Sequence, residues 1–362
     1  MPLLAEGESV SGVYTVERYL GEGAFAEVYR VQHRFLGRQA MKVFKTPASS
    51  ADEVRTSLNE ALLLSRIGHP NVVRVFDANV LERPVGLVGF FTMEYVAGGT
   101  LDRCWRSYGQ RFMPIAEVVE IMRQVSAGIA VAHAETPPII HRDIKPQNIL
   151  VGYDGTGLRV RVSDFGLAKR ANPLDLLVSA RGTLSFKPPE AFRDMDSTAA
   201  DVWALGTTMY LLLTDSLPFS GLDGRDLNDA GRFVTSLRPA STFNAHVDAV
   251  LEQIVSRCLA KRAEDRFRDA CALGRALSQW TPQGATARES SRSDSTFKAS
   301  TSSSIPSEAT LRRRLEEALG LAKSPSSLMQ AADLLEQVLN ESPALREQYE
   351  SQLRLWRRGV CM

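Results

Sequence analysis

The sequence predicts an α+β chain: a small antiparallel β lobe carrying one helix, a larger and mainly helical lobe behind it, and a helical tail beyond a flexible linker. Three observations lead there. Apolar and polar residues alternate, with glycine punctuation, near the start of the chain; apolar residues recur at helical spacing from Ile115 onward; and residues 281–307 hold hardly any large apolar side chain. A length of 362 residues favours two units, one much the larger.

Taken in order, residues 1–11 read as an N-terminal extension. Over residues 14–45 the alternation runs through Val16, Tyr19, Val28, Tyr29, Val31, Met41 and Val43, punctuated at Gly21, Gly23 and Gly37, which predicts three antiparallel strands. Residues 51–67 switch to helical spacing at Val54, Leu58, Ala61, Leu62 and Leu64 and stop at Gly68-His69-Pro70, predicting one helix. Residues 72–76 and 87–95 supply two more strands. The second lobe follows as amphipathic helices over 115–134, 199–214 and 247–259, with a short one around 270–277. Between them, segments 149–151 and 160–163 are split by Asp154-Gly155, a hairpin-turn composition. The Ser- and Thr-rich stretch 281–307 cannot bury enough surface to offset its ordering entropy and reads as a linker. Over 308–358, Leu311, Leu315, Ala318 and Leu319, then Leu328, Ala331, Ala332, Leu335, Val338 and Leu339, predict a helical hairpin or three-helix tail, similar to a single tetratricopeptide-like unit.

Composition narrows the class. Hydrophobic residues at 44% and charged residues at 23% match an ordinary globular mixture and exclude a wholly disordered chain. The net charge of +1 offers no broad field for a nucleic-acid backbone or an anionic membrane, so neither is an expected partner. Cys104, Cys258, Cys271 and Cys361 form no CxxC pair, which fits a reduced, cytoplasmic setting. No apolar run has membrane-spanning length, and Glu6 and Glu8 stand where a signal peptide would be basic, so neither export nor an anchor is expected.

Chemistry concentrates in a few segments. Gly21-Glu22-Gly23-Ala24-Phe25-Ala26-Glu27-Val28 lies between two predicted strands, where glycines let backbone N–H groups approach a polyphosphate, although the same composition serves an ordinary turn. Lys42 is the polar member of the apolar strand Ala40-Met41-Lys42-Val43-Phe44. If buried it requires an anion, which Glu60 on the next helix can supply; the alternative is that Lys42 snorkels out and Glu60 is solvated. Decisive is His141-Arg142-Asp143-Ile144-Lys145-Pro146-Gln147-Asn148-Ile149-Leu150, followed by Ser163-Asp164-Phe165-Gly166-Leu167. Solvated loops share that composition, but chance does not produce that order.

On these motifs the chain resembles the eukaryotic-type (Hanks-type) serine/threonine protein kinases, over about residues 14–268. Further landmarks follow in order: Gly182-Thr183, Pro188-Pro189-Glu190 where the family pattern is APE, Asp201-Val202-Trp203, Leu217-Pro218-Phe219, and Arg266, the expected partner of Glu190. The third glycine of the glycine-rich loop is replaced by Ala26. The resemblance implies the bilobal protein-kinase fold over residues 12–280, with an N-lobe to 95 and a C-lobe from 96. It implies ATP with Mg2+: Gly21 and Gly23 over the phosphates, Lys42 on the α- and β-phosphates with Glu60 positioning it, and Asn148 and Asp164 as metal ligands. Asp143 would take the substrate proton, Lys145 would steady the γ-phosphate, and Thr183 would brace both. Met93, Glu94 and Val96 would form the gatekeeper and hinge, with Val28, Ala40 and Leu150 sandwiching adenine.

Lys145-Pro146-Gln147 resembles the serine/threonine pattern, so protein substrates, the chain itself included, are the expected acceptors. Arg142 implies an activation segment ordered by phosphate, with Ser179 or Thr183 as its carrier, or else by packing of Leu174, Leu176 and Leu177. The linker hydroxyls are candidate self-phosphorylation sites. Two rival functions stand beside this one. A pseudokinase would be expected to have lost one of Lys42, Glu60, Asp143, Asn148 or Asp164, and all are present; a small-molecule kinase would lack the segment from Gly182 to Glu190 with Arg266. The tail is open to a protein partner or to self-association.

Overall fold

The structure, a computed structural model, describes residues 2–48, 50–83, 86–109, 112–154, 157–165, 184–193, 197–219, 233–281 and 308–321, with single positions between 331 and 349. The early alternation folds as β1 (Ser9–Val10), β2 (Tyr14–Glu22), β3 (Ala26–His33) and β4 (Gly37–Phe44). With β5 (Val75–Arg83) and β6 (Gly86–Glu94) they form one antiparallel sheet in the order β1-β2-β3-β4-β6-β5. A period of two sends successive side chains to opposite faces. Tyr29, Val31, Met41, Val43 and Phe90 pack on the outer face, while Ala26, Ala40, Phe91 and Met93 pack on the inner one. Strand β1 lies within the stretch read as an extension, and its pairing of Val10 with Tyr14 ties that stretch into the sheet.

Residues 51–67 form two helices, α1 (Ala51–Ser57) and α2 (Asn59–Arg66), instead of the single helix expected. The break falls at Leu58, whose ψ opens to 1° and whose side chain packs on the inner sheet cluster; α1 then lies against β6 and α2 against β5. The strand expected at 72–76 also shifts, to β5. Val72 bridges Val162 of the other lobe and the Val73 amide donates to the Val162 carbonyl at 2.9 Å, with the Val72 side chain in the second lobe's core and that of Val73 in the inner cluster of the first.

The second lobe contains α3 (Leu101–Arg106), which the sequence reading did not anticipate, α4 (Ile115–His133), the hairpin of β7 (Ile149–Asp154) and β8 (Gly157–Val162), α5 (Thr198–Thr214), α6 (Ala249–Cys258) and α7 (Ala270–Gln279). Starts of α5, α6 and α7 are capped by Ser197, Asp248 and Asp269, whose side chains accept N–H groups that the helix leaves unpaired. Helix α5 is apolar nearly all round because it is buried nearly all round, with Val202, Trp203, Leu205 and Met209 in one core with Ile121, Val125 and Ile129 of α4. Of the predicted Asp154-Gly155 turn, Asp154 ends β7 opposite Gly157, and Gly155 lies outside the described residues.

By contacts the chain divides into Met1–Ala285 and Thr286–Met362. In the second unit, α8 (Glu308–Leu321) contributes Leu315 and Ala318 to a cluster with Ala331, Ala332, Leu335 and Val338. Among the described residues no helix is long and apolar enough to cross a membrane.

Candidate active site

The β7–β8 hairpin assembles the centre of the site. Its register pairs Ile149 with Val162, so Asn148, just before β7, comes to lie beside Ser163 and Asp164, just after β8. The Ser163 amide and hydroxyl both donate to the Asn148 carbonyl, at 2.9 and 3.1 Å. The Asn148 side-chain amide reaches back to the Asp143 carbonyl and to Asp143 Oδ2, each at 2.8 Å, which leaves Asn148 Oδ1 as the open end of that amide. Lys145 Nζ also approaches Asp143 Oδ2, at 2.9 Å. Asp143 Oδ1 is buried and receives no hydrogen bond among the described residues.

Asp201, a landmark of the resemblance as the start of the buried helix that anchors the catalytic loop, stands at the start of α5 and holds this loop from beneath. Its carboxylate accepts the backbone amides of His141 at 2.7 Å and Arg142 at 2.9 Å, and His133 Nε2 at 2.9 Å. His133 Nδ1 accepts the Ala270 amide at 3.2 Å, so Nε2 carries the proton that Asp201 receives. Burial alone would raise the Asp201 pKa, but the His133 hydrogen bond, the neighbouring imidazoles and the Arg142 amide together lower it. His141 is wholly buried: its Nε2 donates to the Ser163 carbonyl at 3.0 Å, its Nδ1 accepts the Asp143 amide at 3.3 Å, and its ring lies 4.5 Å from that of Phe165. Burial lowers its pKa. Arg142 and Asp164 hold left-handed backbone, φ 70° and 62°. That conformation costs a non-glycine residue about 1–3 kcal/mol and persists where the surroundings over-determine it.

From the other lobe, Lys42 pairs in register with Val28 on β3 and Phe91 on β6. It is 6% exposed, so snorkelling does not apply, and Asp164 is one anion it pairs with, with the Phe91 ring 5.7 Å away. Glu60 lies on α2, and its side chain is outside what is described. Val28 and Leu150, both half-buried, pack with Ala40 and Met93 in one inner cluster. Ala26, at the third-glycine position, turns its methyl into the same cluster. Gly21 pairs with Val28, and the Gly23 amide donates to the Ala26 carbonyl at 2.8 Å, closing the glycine-rich turn at the sheet's edge. Glu94 ends β6 and is held by Arg161 Nε at 2.9 Å, while the Val96 carbonyl accepts the Gly99 amide at 3.3 Å. The connection then runs against β7, where a Cβ on Gly98 would stand 2.1 Å from the Val151 carbonyl.

Below the loop, Lys187 Nζ donates to the Arg142 carbonyl at 2.6 Å, and Arg266 forms a two-pronged pair with Glu190 at 2.5 and 2.9 Å. Arg266 is fully enclosed, lies 4.8 Å over the Trp203 ring and also donates to the Ala260 and Ala199 carbonyls. Thr183, Ser179 and Leu174 to Leu177 lie outside the described residues. The structure thus links Lys42, Asp164, Asn148, Asp143 and Lys145 through neighbouring contacts, and packs Val28, Ala40, Met93 and Leu150 in one cluster.

Residues 14–276 match the protein kinase domain family. Serine/threonine-protein kinase PrkC of Bacillus subtilis is 30% identical over 270 residues, which are 73% of this chain and 40% of PrkC. Serine/threonine-protein kinase Pkn1 of Myxococcus xanthus is 34% identical over 277 residues, 74% of this chain and 38% of Pkn1. The chain therefore spans about two fifths of the length of these curated relatives. Among solved structures, the Mycobacterium tuberculosis PknI kinase domain superposes with a TM-score of 0.55 at 30% identity, covering 76% of this chain and 99% of that domain.

Proposed function

The chain belongs to the protein kinase domain family, and from that premise we propose that it transfers the γ-phosphoryl group of ATP to serine or threonine hydroxyls of proteins, itself among them. The observation that carries this reading is the state of Asp143: Oδ2 is engaged by Lys145 and Asn148, while Oδ1 is left without a hydrogen-bond donor among the described residues. In the proposed reaction the substrate oxygen bonds to the γ-phosphorus as the bond to the β–γ bridging oxygen breaks. Oδ1 takes the hydroxyl proton, and ADP leaves.

Each neighbouring group has a matching part. Lys42 holds the α- and β-phosphates, positioned by Glu60, and Lys145 steadies the γ-phosphate with Thr183 bracing it. Gly21 and Gly23 bring backbone close to the phosphates; Val28, Ala40 and Leu150 enclose adenine beside Met93, with Glu94 and Val96 offering backbone groups. The donor set fits Mg2+: the Asp164 carboxylate and Asn148 Oδ1 are hard oxygen ligands and would hold the ion. When bound, the ion neutralises phosphate charge. Ser179 or Thr183 carries the phosphate that orders the activation segment against Arg142.

The test is incubation of the purified chain with magnesium and labelled ATP, beside Asp143→Asn, with label located by mass spectrometry on the chain and on a generic basic protein. Label on serine or threonine that is lost in the variant supports the proposal. ADP binding without any transfer would replace it with a nucleotide-responsive scaffold.

A further inference from the structure

We infer that residues 3–10 form a strap that positions the glycine-rich turn through Glu27 and Tyr29, a role that rests on the nucleotide site proposed above. Glu27 is a charged residue only 6% exposed, on the last paired rung before the turn, opposite Glu22. A buried carboxylate needs donors. Glu27 Oε2 receives the Leu3 amide at 2.8 Å and the Tyr29 hydroxyl, and that hydroxyl in turn accepts the Leu4 amide at 3.0 Å. The Leu4 side chain is buried with Val10, Tyr14, Val16, Tyr29 and Val43.

The strap is anchored along its length. The Gly7 amide donates to the Val16 carbonyl at 2.8 Å, the Val16 amide to the Glu8 carbonyl at 2.9 Å, and Glu8 pairs with Arg83 at 2.5 Å. Strand β1 then pairs Ser9 with Thr15 and Val10 with Tyr14.

The link to the nucleotide side is the alternation of β3. Glu27 and Tyr29 point to the strap, whereas Ala26 and Val28, their immediate neighbours, face the inner cluster with Ala40 and Leu150. A hairpin tip with two glycines has many backbone conformations open to it. Pinning the outer face one rung from the tip selects the conformation that sets Val28 over the site. Without the strap Glu27 loses a donor and turns toward water, and the tip loses that selection.

The experiment compares the full chain with Leu4→Asp, which expels the strap, Tyr29→Phe, which removes the hydroxyl and keeps the buried ring, and Leu4→Met. The readouts are KM for ATP, Kd for ADP with magnesium, kcat at saturating ATP, and hydrogen exchange of residues 20–30 against α4. The expected result is a rise in KM and Kd of about fivefold to tenfold for Leu4→Asp and about twofold to threefold for Tyr29→Phe, with kcat moving less than about twofold and Leu4→Met behaving as the parent. Exchange should quicken in residues 20–30 and stay unchanged in α4. Unchanged KM and Kd, with only a lower melting temperature, would overturn the inference. If the parent chain transfers no phosphate, the kinase reading fails alone, and ADP affinity with hydrogen exchange still decides the strap.

Discussion

Two buried ionic groups make the sharpest residue-level statements. Arg266 is enclosed with Glu190, and removing one member of such a pair strands the other charge. Arg266→Ala is expected to cost about 3–5 kcal/mol, read as a shift in the urea midpoint. The cluster around Asp201 predicts a pH dependence. Because burial lowers the His141 pKa, the unfolded chain takes up that proton more readily than the folded one. Stability from this group is complete above about pH 6.5 and declines below it, by up to ~1.4 kcal/mol per pH unit. The lowered Asp201 pKa acts in the same direction further down, its contribution present above about 3.9 and lost in stronger acid. Melting temperatures measured from pH 8 to pH 5 should therefore fall below about pH 6.5; a flat profile would show that His141 is not held neutral. Asp143, Asn148 and Asp164 were legible from sequence because their order is a signature. Asp201 was legible as a landmark of the resemblance but not as a hub, since its partners His133, His141 and Arg142 lie 68, 60 and 59 residues away and only folding brings them together.

At the scale of elements, the connection after β6 and the helix caps decide how the parts meet. Gly98 passes against the Val151 carbonyl at a distance no Cβ tolerates. Gly98→Ala should cost about 1–3 kcal/mol and push the connection off β7, and titration with ADP should show weaker nucleotide binding. Ser197 accepts the Ala200 amide at the start of α5, the helix that carries Asp201. Ser197→Ala should cost about 1 kcal/mol by thermal unfolding, with Ser197→Asp restoring most of it. The amphipathic helices α4, α6 and α7 were readable because each shows one apolar stripe to a common core. The division at Leu58 and the displacement of β5 were not: periodicity reports that a residue is buried, and Val72 is buried in the second lobe's core while Val73 is buried in the inner cluster of the first.

At the scale of the molecule, the described core clusters keep within their own units, three of them in Met1–Ala285 and one in Thr286–Met362. A chain ending at residue 285 is therefore expected to unfold cooperatively with the urea midpoint of the full chain's larger unit. The second unit's cluster includes Ala318, Ala331 and Ala332, small side chains that bury little area, so it should unfold at lower denaturant. A fluorescence and circular dichroism titration of both chains tests this.

The sequence by itself determined the two-lobed α+β architecture, the order of its chemical motifs and the family, because alternation, helical spacing and HRDxKPxN followed by DFG are local patterns along the chain. Only the tertiary structure decided that Lys42 meets Asp164 across 122 residues, that one Asp143 oxygen is left without a hydrogen bond among the described residues, and that Leu3 and Leu4 bond to Glu27 and Tyr29 on β3. Those facts depend on which buried donors find which buried acceptors, and that pairing is set by strand register and lobe packing, which no local pattern encodes.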